Sequence, residues 1–385
     1  MRHFDFLTDA DRRRLFMHAP EAFDARSDPQ FVAVALGATL YSPAIRPNLA
    51  ADIHRRAGEG VTSMVACLED AIPDAEVARA ERNLVTELRR CAASPEALPL
   101  LFVRVRTPAQ IPMIVSALGE AVGVLSGFVL PKFTDESGPE YLEAVVEASA
   151  DLDHRLFAMP LLESREIMFA ESRITALHAA RRVVDKYRDH VLAVRVGATD
   201  LCAAYGLRRS SDMTIYDVRM IADVLADVVN VFGRADNGYV VTGPVWEYFS
   251  RAERIFKPQL RESPFVEHAD RALRARLIAS DLDGLMREVA LDRANGLTGK
   301  TVIHPSHVAA VHALSVVTCE EYSDAADIIA TGSGGGACAS PYRNKMNESK
   351  PHTTWAHRTM LRARVFGVAH EDVSFVDLLG AGLHQ

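Results

Sequence analysis

Between Ala38 and His304 the chain repeats one pattern eight times: a short apolar run, a polar or Gly/Pro turn, and an amphipathic segment of helix length. The runs are Ala38 to Ser42, Ser63 to Glu69, Leu100 to Val105, Gly127 to Lys132, Leu156 to Glu163, Val191 to Gly197, Tyr239 to Thr242 and Thr301 to His304. Strands alternating with helices argue for βαβ units and a parallel sheet, and a strand covered on both faces reads as a near-continuous apolar run. Eight such units favour a closed barrel over an open sheet. The expected fold is therefore an α/β TIM (β/α)8 barrel over residues 31–316, with helices near 47–59, 74–90, 108–119, 138–150, 165–186, 216–231, 281–295 and 306–314.

Three stretches lie outside that pattern. Residues 1–30 are polar with a few aromatics and are expected to form an N-terminal arm packed outside the barrel. Residues 249–280 read as an insertion after the seventh strand, placed where barrel loops set specificity. Residues 317–385 form a C-terminal helical extension, a lid or a subunit-exchanged tail. Its glycine run, Thr331 to Ala337, is followed by no Gly-Lys-Ser/Thr and so is not a phosphate-binding P-loop; it reads as a hinge.

Composition excludes several classes of function. A net charge of −8 with scattered basic residues gives no footprint for nucleic acid or an anionic membrane. No apolar stretch approaches the roughly 20 residues of a membrane span, and the N-terminus lacks a signal-peptide core. A soluble cytoplasmic protein is expected. Five cysteines without a CxxC pair fit a reducing compartment and no zinc site, and no spacing marks a histidine partner for a catalytic thiol.

In parallel α/β folds ligands lie beyond the carboxyl ends of the strands, so the residues at the strand tips carry the functional reading. The fifth and sixth runs end in Glu163 and Asp200. Two carboxylates with open positions suit Mg²⁺ or Mn²⁺, hard cations that take oxygen ligands. The same acids can equally cap the following helices or pair with arginines. The second run ends in Glu69-Asp70; adjacent strand residues point to opposite faces, so at most one of them is expected to face the mouth. Arg104 and Arg106 are two apart on the third run, so both could grip a substrate carboxylate or phosphate, or pair with Glu69, Asp70 or Glu163. Arg46 beside a helix N-terminus and Lys132 at the fourth tip complete a mouth suited to a small anionic substrate held on a metal.

Taken in order, the phrases Ser42-Pro43-Ala44-Ile45-Arg46-Pro47, Leu68-Glu69-Asp70-Ala71, Val103-Arg104-Val105, Leu130-Pro131-Lys132, Leu161-Leu162-Glu163-Ser164, Gly197-Ala198-Thr199-Asp200-Leu201 and Gly299-Lys300-Thr301-Val302-Ile303-His304-Pro305 resemble the citrate lyase beta-subunit-like group of the HpcH/HpaI aldolase superfamily. The resemblance implies a TIM barrel, a homotrimer or homohexamer, and Mg²⁺ on Glu163 and Asp200. It also implies that Arg104 contacts the substrate carboxylate, with Glu69 and Asp70 in support. The reaction implied is a lyase or aldolase step that makes or breaks a carbon–carbon bond beside a carboxylate, in a 2-oxo acid or acyl-CoA substrate, through a metal-stabilised enolate. Arg106 stands where common members carry Asn, and the seventh strand ends Thr242-Gly243-Pro244-Val245-Trp246 without their Asp. The tail from Asn344 to Gly367 is similar to a divergent branch of TIM-barrel C–C bond lyases found beside tellurium-resistance and stress genes, for which neither substrate nor CoA carries over.

No residue announces itself as the general base; candidates are a water, Glu69, Asp70, or His352 delivered by a neighbour's tail. Two other readings compete. One is a barrel subunit that turns over only within a complex or not at all. The other is an enzyme of the phosphoenolpyruvate mutase type, whose reactive lid cysteine has no counterpart motif here.

Overall fold

The computed structural model describes residues 1–94, 96–249, 282–332 and 335–383. The centre is a nine-stranded, wholly parallel sheet. Its strands are β1 (Ala38–Pro43), β2 (Ser63–Cys67), β3 (Leu100–Arg104), β4 (Leu125–Leu130), β5 (Phe157–Leu162), β6 (Ala193–Val196), β7 in two pieces (Val240–Val241 and Gly243–Trp246), and β8 (Lys300–Val302). The first piece of β7 pairs with β6 and the second with β8, which in turn pairs with β1. Only Thr242 separates the two pieces, so the two ends of the sheet meet in one stretch of chain and the barrel closes. Every residue of β2, β3, β4, β5 and β6 is buried, as expected for strands covered by helices outside and packed side chains within.

The helices follow the apolar periodicity. Val77–Ala92 buries Ala80, Leu84, Leu88 and Cys91 on one stripe, and Arg219–Phe232 buries Ile221, Val224, Leu225, Val228 and Val231. The segment expected as one helix from Arg165 is two, Arg165–Met168 and Arg173–Lys186. The expected insertion falls almost wholly outside the described residues, as does the centre of the glycine run.

The N-terminal arm is not peripheral. His3 and Phe4 are buried, with His3 4.3 Å from the Phe366 ring and 4.4 Å from the His312 ring. His312 Nε2 accepts from the N–H of Ala38, the first residue of β1, so this cluster closes the N-terminal end of the barrel. Phe16–His18 pairs antiparallel with Val368–Ala369, which joins the two termini. The C-terminal extension packs the helices Cys319–Thr331 and Ser349–Phe366 together and ties the second to the same end: Arg358 donates to the Gly233 carbonyl at 2.9 Å, and Arg364 pairs with Glu21. The extension therefore lies away from the strand tips of its own barrel. All five cysteines are free.

Candidate active site at the strand tips

The site begins where three strands end. Register places Cys67 beside Arg104, and the Leu68 N–H donates to the Arg104 carbonyl, so the turn after β2 folds over the last residue of β3. Arg104 Nη2 consequently lies 2.8 Å from Glu69 Oε2, 3.0 Å from Asp70 Oδ2 and 3.0 Å from Glu163 Oε1. One nitrogen meets three carboxylates. The buried Nε has no partner, and Nη1 makes no hydrogen bond among the described residues, so Nη1 is the nitrogen that remains for a ligand.

Lys132 contributes twice. Its Nζ lies 2.5 Å from Glu69 Oε1 and 3.8 Å from Asp70 Oδ1. Its backbone sits at φ +48°, the left-handed region that a non-glycine residue adopts at a cost, and its N–H donates to Glu163 Oε1 at 3.0 Å. Both Arg104 and the Lys132 N–H thus converge on one oxygen of Glu163. The other oxygen, Oε2, receives no donor among the described residues and faces Gly197. A Cβ at that position would lie 2.1 Å from Oε2, so a larger residue after β6 would fill the space beside it.

Asp200 stands in the first turn of Ala198–Ala203, close enough for its charge to act on Glu163. Burial, against the pull of Arg104 and reinforced by Asp200 and Glu69, pushes the Glu163 carboxyl up to about 8. Burial and a hydrogen bond with Asp70 also raise Glu69. Burial works the same way on Asp70, but the bond to Glu69 with Arg104 and Lys132 holds it below the usual carboxylate range. Four carboxylates, Glu69, Asp70, Glu163 and Asp200, thus face two cations, Arg104 and Lys132. With all four ionised, the excess of two negative charges would match one divalent cation.

The donor set fits such an ion. A free Glu163 oxygen and Asp200 offer only oxygen ligands, and among the described residues no group of three or more His, Cys, Asp or Glu forms an all-protein cage. Two carboxylates with water completing the shell is the pattern of a hard cation, not of zinc.

The structure places the remaining strand-tip residues as follows. Glu69 and Asp70 both reach Arg104, because β2 ends at Cys67 and strand alternation does not extend to them. Arg106 does not join the cluster. Its Nε donates to the Leu68 carbonyl at 2.7 Å, Nη2 to the Glu69 carbonyl at 3.1 Å, and Nη1 pairs with Asp74 at 2.5 Å, so it clamps the turn that carries the two acids. Arg46 is exposed and pairs with Asp52 at 3.4 Å. One residue that sequence reading passed over is Arg195, buried within β6; a lone arginine inside an apolar run was its only signal.

A family model described as C–C bond lyase of the TIM-barrel fold matches residues 30–368. The chain belongs to this family. Family membership makes the protein a carbon–carbon bond lyase by class. No curated protein matches it in sequence. Among solved structures, the CitE protein of Mycobacterium tuberculosis in complex with magnesium, acetoacetate and coenzyme A superposes with a TM-score of 0.51 at 19% identity, over 86% of this chain and 99% of that one. Malate synthase of Haloferax volcanii does so with a TM-score of 0.51 at 15% identity, over 71% of this chain and 72% of its own. At these identities the two structures show that the lyase shares their fold.

Proposed function

We propose that the chain is a Mg²⁺-dependent lyase or aldolase that breaks or forms a carbon–carbon bond beside the carboxylate of a 2-oxo acid or hydroxy-acyl substrate at the mouth formed by β2 to β6. The observation that carries this reading is the charge arrangement: an arginine fixed by three carboxylates through Nη2, beside a Glu163 whose second oxygen has no donor among the described residues and whose carboxyl is pushed up by burial and the charge of Asp200. The CitE complex holds magnesium, acetoacetate and coenzyme A, and the first two, a divalent cation and a small 3-oxo acid, are of the kind this mouth suits.

Glu163 and Asp200 would hold the cation, which when bound supplies Lewis-acid stabilisation of an oxygen that gains negative charge. Arg104 orients the substrate carboxylate through Nη1 while Nη2 stays fixed by the acids. Glu69, raised by burial and in contact with Lys132, is placed to accept or return a proton, and the half-exposed Asp70 is the second candidate.

Calorimetric titration of Mg²⁺ tests this directly. Wild type is expected to bind Mg²⁺, more tightly with pyruvate present. Glu163→Gln and Asp200→Asn should each weaken binding at least about a hundredfold, since even outer-shell partners of a metal site are worth about 10–100-fold. A wild-type protein that binds no Mg²⁺ would overturn the reading.

The same titration carries a pH signature. Glu163 must lose its proton to ligate, and its folded-state value is raised to about 8 from 4.5. Mg²⁺ affinity is therefore expected to climb about tenfold per pH unit between pH 6 and 8, with a proton released on binding, and to level off above. Affinity independent of pH across that window would show that Glu163 is already ionised or is no ligand.

A further inference from the structure

One buried cation in this barrel has no counter-charge. Arg195 is 1% exposed, on β6, opposite Leu161 of β5. Its side chain crosses the interior to the far wall, where Nη2 donates to Thr301 Oγ1 at 2.7 Å and Nη1 to Thr39 Oγ1 at 3.4 Å; Thr301 and Thr39 are register partners on β8 and β1. Nη1 also approaches the Met159 sulfur at 3.7 Å, and the Tyr41 ring lies 5.5 Å from the guanidinium carbon. Nε has no partner. None of these groups carries negative charge, and among the described residues no carboxylate lies within ion-pair distance. The other buried cations differ. Arg104 meets three carboxylates, Lys300 meets Glu288 and Asp292, and Arg209 meets Glu247 and Glu288. Taking a guanidinium out of water without a counter-ion is unfavourable, and hydroxyls and a thioether offset it only in part.

Its position suggests what would offset it. Two residues further along the same strand is Gly197, which abuts Glu163, so the Arg195 backbone lies two residues, about 6.6 Å along the strand, below the tip. Tyr41 and Thr301 are both partly exposed, and the Tyr41 hydroxyl makes no hydrogen bond among the described residues. Burial raises the Tyr41 phenol against the pull of Arg195 and Arg104, which keeps it a neutral donor.

We propose that Arg195 anchors a second anion subsite in the barrel throat, beneath Glu163, that takes the far carboxylate of a dicarboxylate substrate, with the hydroxyls of Thr301 and Tyr41 as further donors. The subsite rests on the lyase reading above and narrows its substrate: one acidic group meets Arg104 at the mouth, and the other meets Arg195 below. A monocarboxylate leaves Arg195 unpaired, which is how a site built around a buried polar group rejects a ligand that lacks the matching partner.

The test compares malate with lactate, which differ by one carboxylate, in calorimetric titrations with Mg²⁺ present. Wild type is expected to bind malate at least tenfold more tightly than lactate. Arg195→Met should abolish that preference while leaving lactate and Mg²⁺ binding unchanged. The thermal midpoint of the ligand-free variant should not fall, because no ion pair is lost. Arg195→Lys should keep part of the preference. Wild type that binds Mg²⁺ but does not distinguish malate from lactate overturns the subsite and leaves the lyase reading standing. So does an Arg195→Met variant that keeps the preference or unfolds at a lower temperature, which would mark the arginine as structural. Should Arg195→Met fail to fold, the wild-type comparison and Arg195→Lys still decide. Absence of any Mg²⁺ binding would instead remove the Mg²⁺-dependent reading of the mouth itself.

Discussion

Replacing Arg104 with methionine is expected to cut Mg²⁺-dependent pyruvate binding by at least about a hundredfold and carbon–carbon bond cleavage by about a thousandfold, the scale seen when one donor to a developing oxyanion or one partner of a buried charge pair is removed. Both consequences follow from one nitrogen. Nη2 is the shared partner of Glu69, Asp70 and Glu163, and Nη1 of the same side chain is the part left for substrate. Without it, three acids face Lys132 alone. Arg104 is also the strongest influence lowering Glu163, so the variant should move the pH needed for Mg²⁺ binding above about 8. That upward move separates loss of charge from loss of fold. Arg104→Lys, which keeps the charge without the planar fork, should restore the pH dependence better than it restores pyruvate binding. A methionine variant that binds pyruvate within threefold of wild type, with an unmoved pH profile, would remove Arg104 from the site.

The barrel was legible because its strands are buried on both faces and its helices on one, so the switch between apolar runs and apolar stripes marks each boundary. The strand from Leu156 and the tip at Glu163 could be read to within a residue or so. What failed was the extension of strand geometry past the last paired residue. Alternation allows at most one of Glu69 and Asp70 at the mouth and puts Arg106 on the face of Arg104, but β2 ends at Cys67 and β3 at Arg104, and beyond those points turn geometry decides. The Glu163 donor from the Lys132 backbone was invisible for a different reason. It depends on a left-handed residue that no glycine or asparagine announces. The N-terminal arm looked polar because only a few aromatics carry its burial, and their partners, Phe366 and His312, lie more than three hundred residues away in the chain.

Lys300→Met is expected to destabilise the protein by about 3–5 kcal/mol, the usual result of removing one partner from a buried ion cluster. Lys300 is fully buried, with Nζ 2.6 Å from Glu288 and 2.7 Å from Asp292, both on the helix Leu282–Ala294. Glu288 also pairs with Arg209 and accepts from the Ile215 N–H at 2.6 Å; Tyr216 donates to Asp292 at 2.8 Å. The cluster thus fastens β8 and this helix to the chain that follows β6 and Asp200. Methionine fills most of the lysine volume, so the loss is electrostatic and should carry a pH sign. Burial, opposed by Lys300, already raises Asp292 to about 6; with Lys300 gone the carboxyl rises further. An acid raised on folding contributes stability below its folded value and loses it as pH climbs through that value, so the variant should melt further below wild type at pH 8 than at pH 5.5. Adding Asp292→Asn and Glu288→Gln to Lys300→Met should recover part of the midpoint at pH 8. A pH-independent deficit that these neutral partners do not relieve would point to lost packing at position 300 and would exclude the buried charges as the cause.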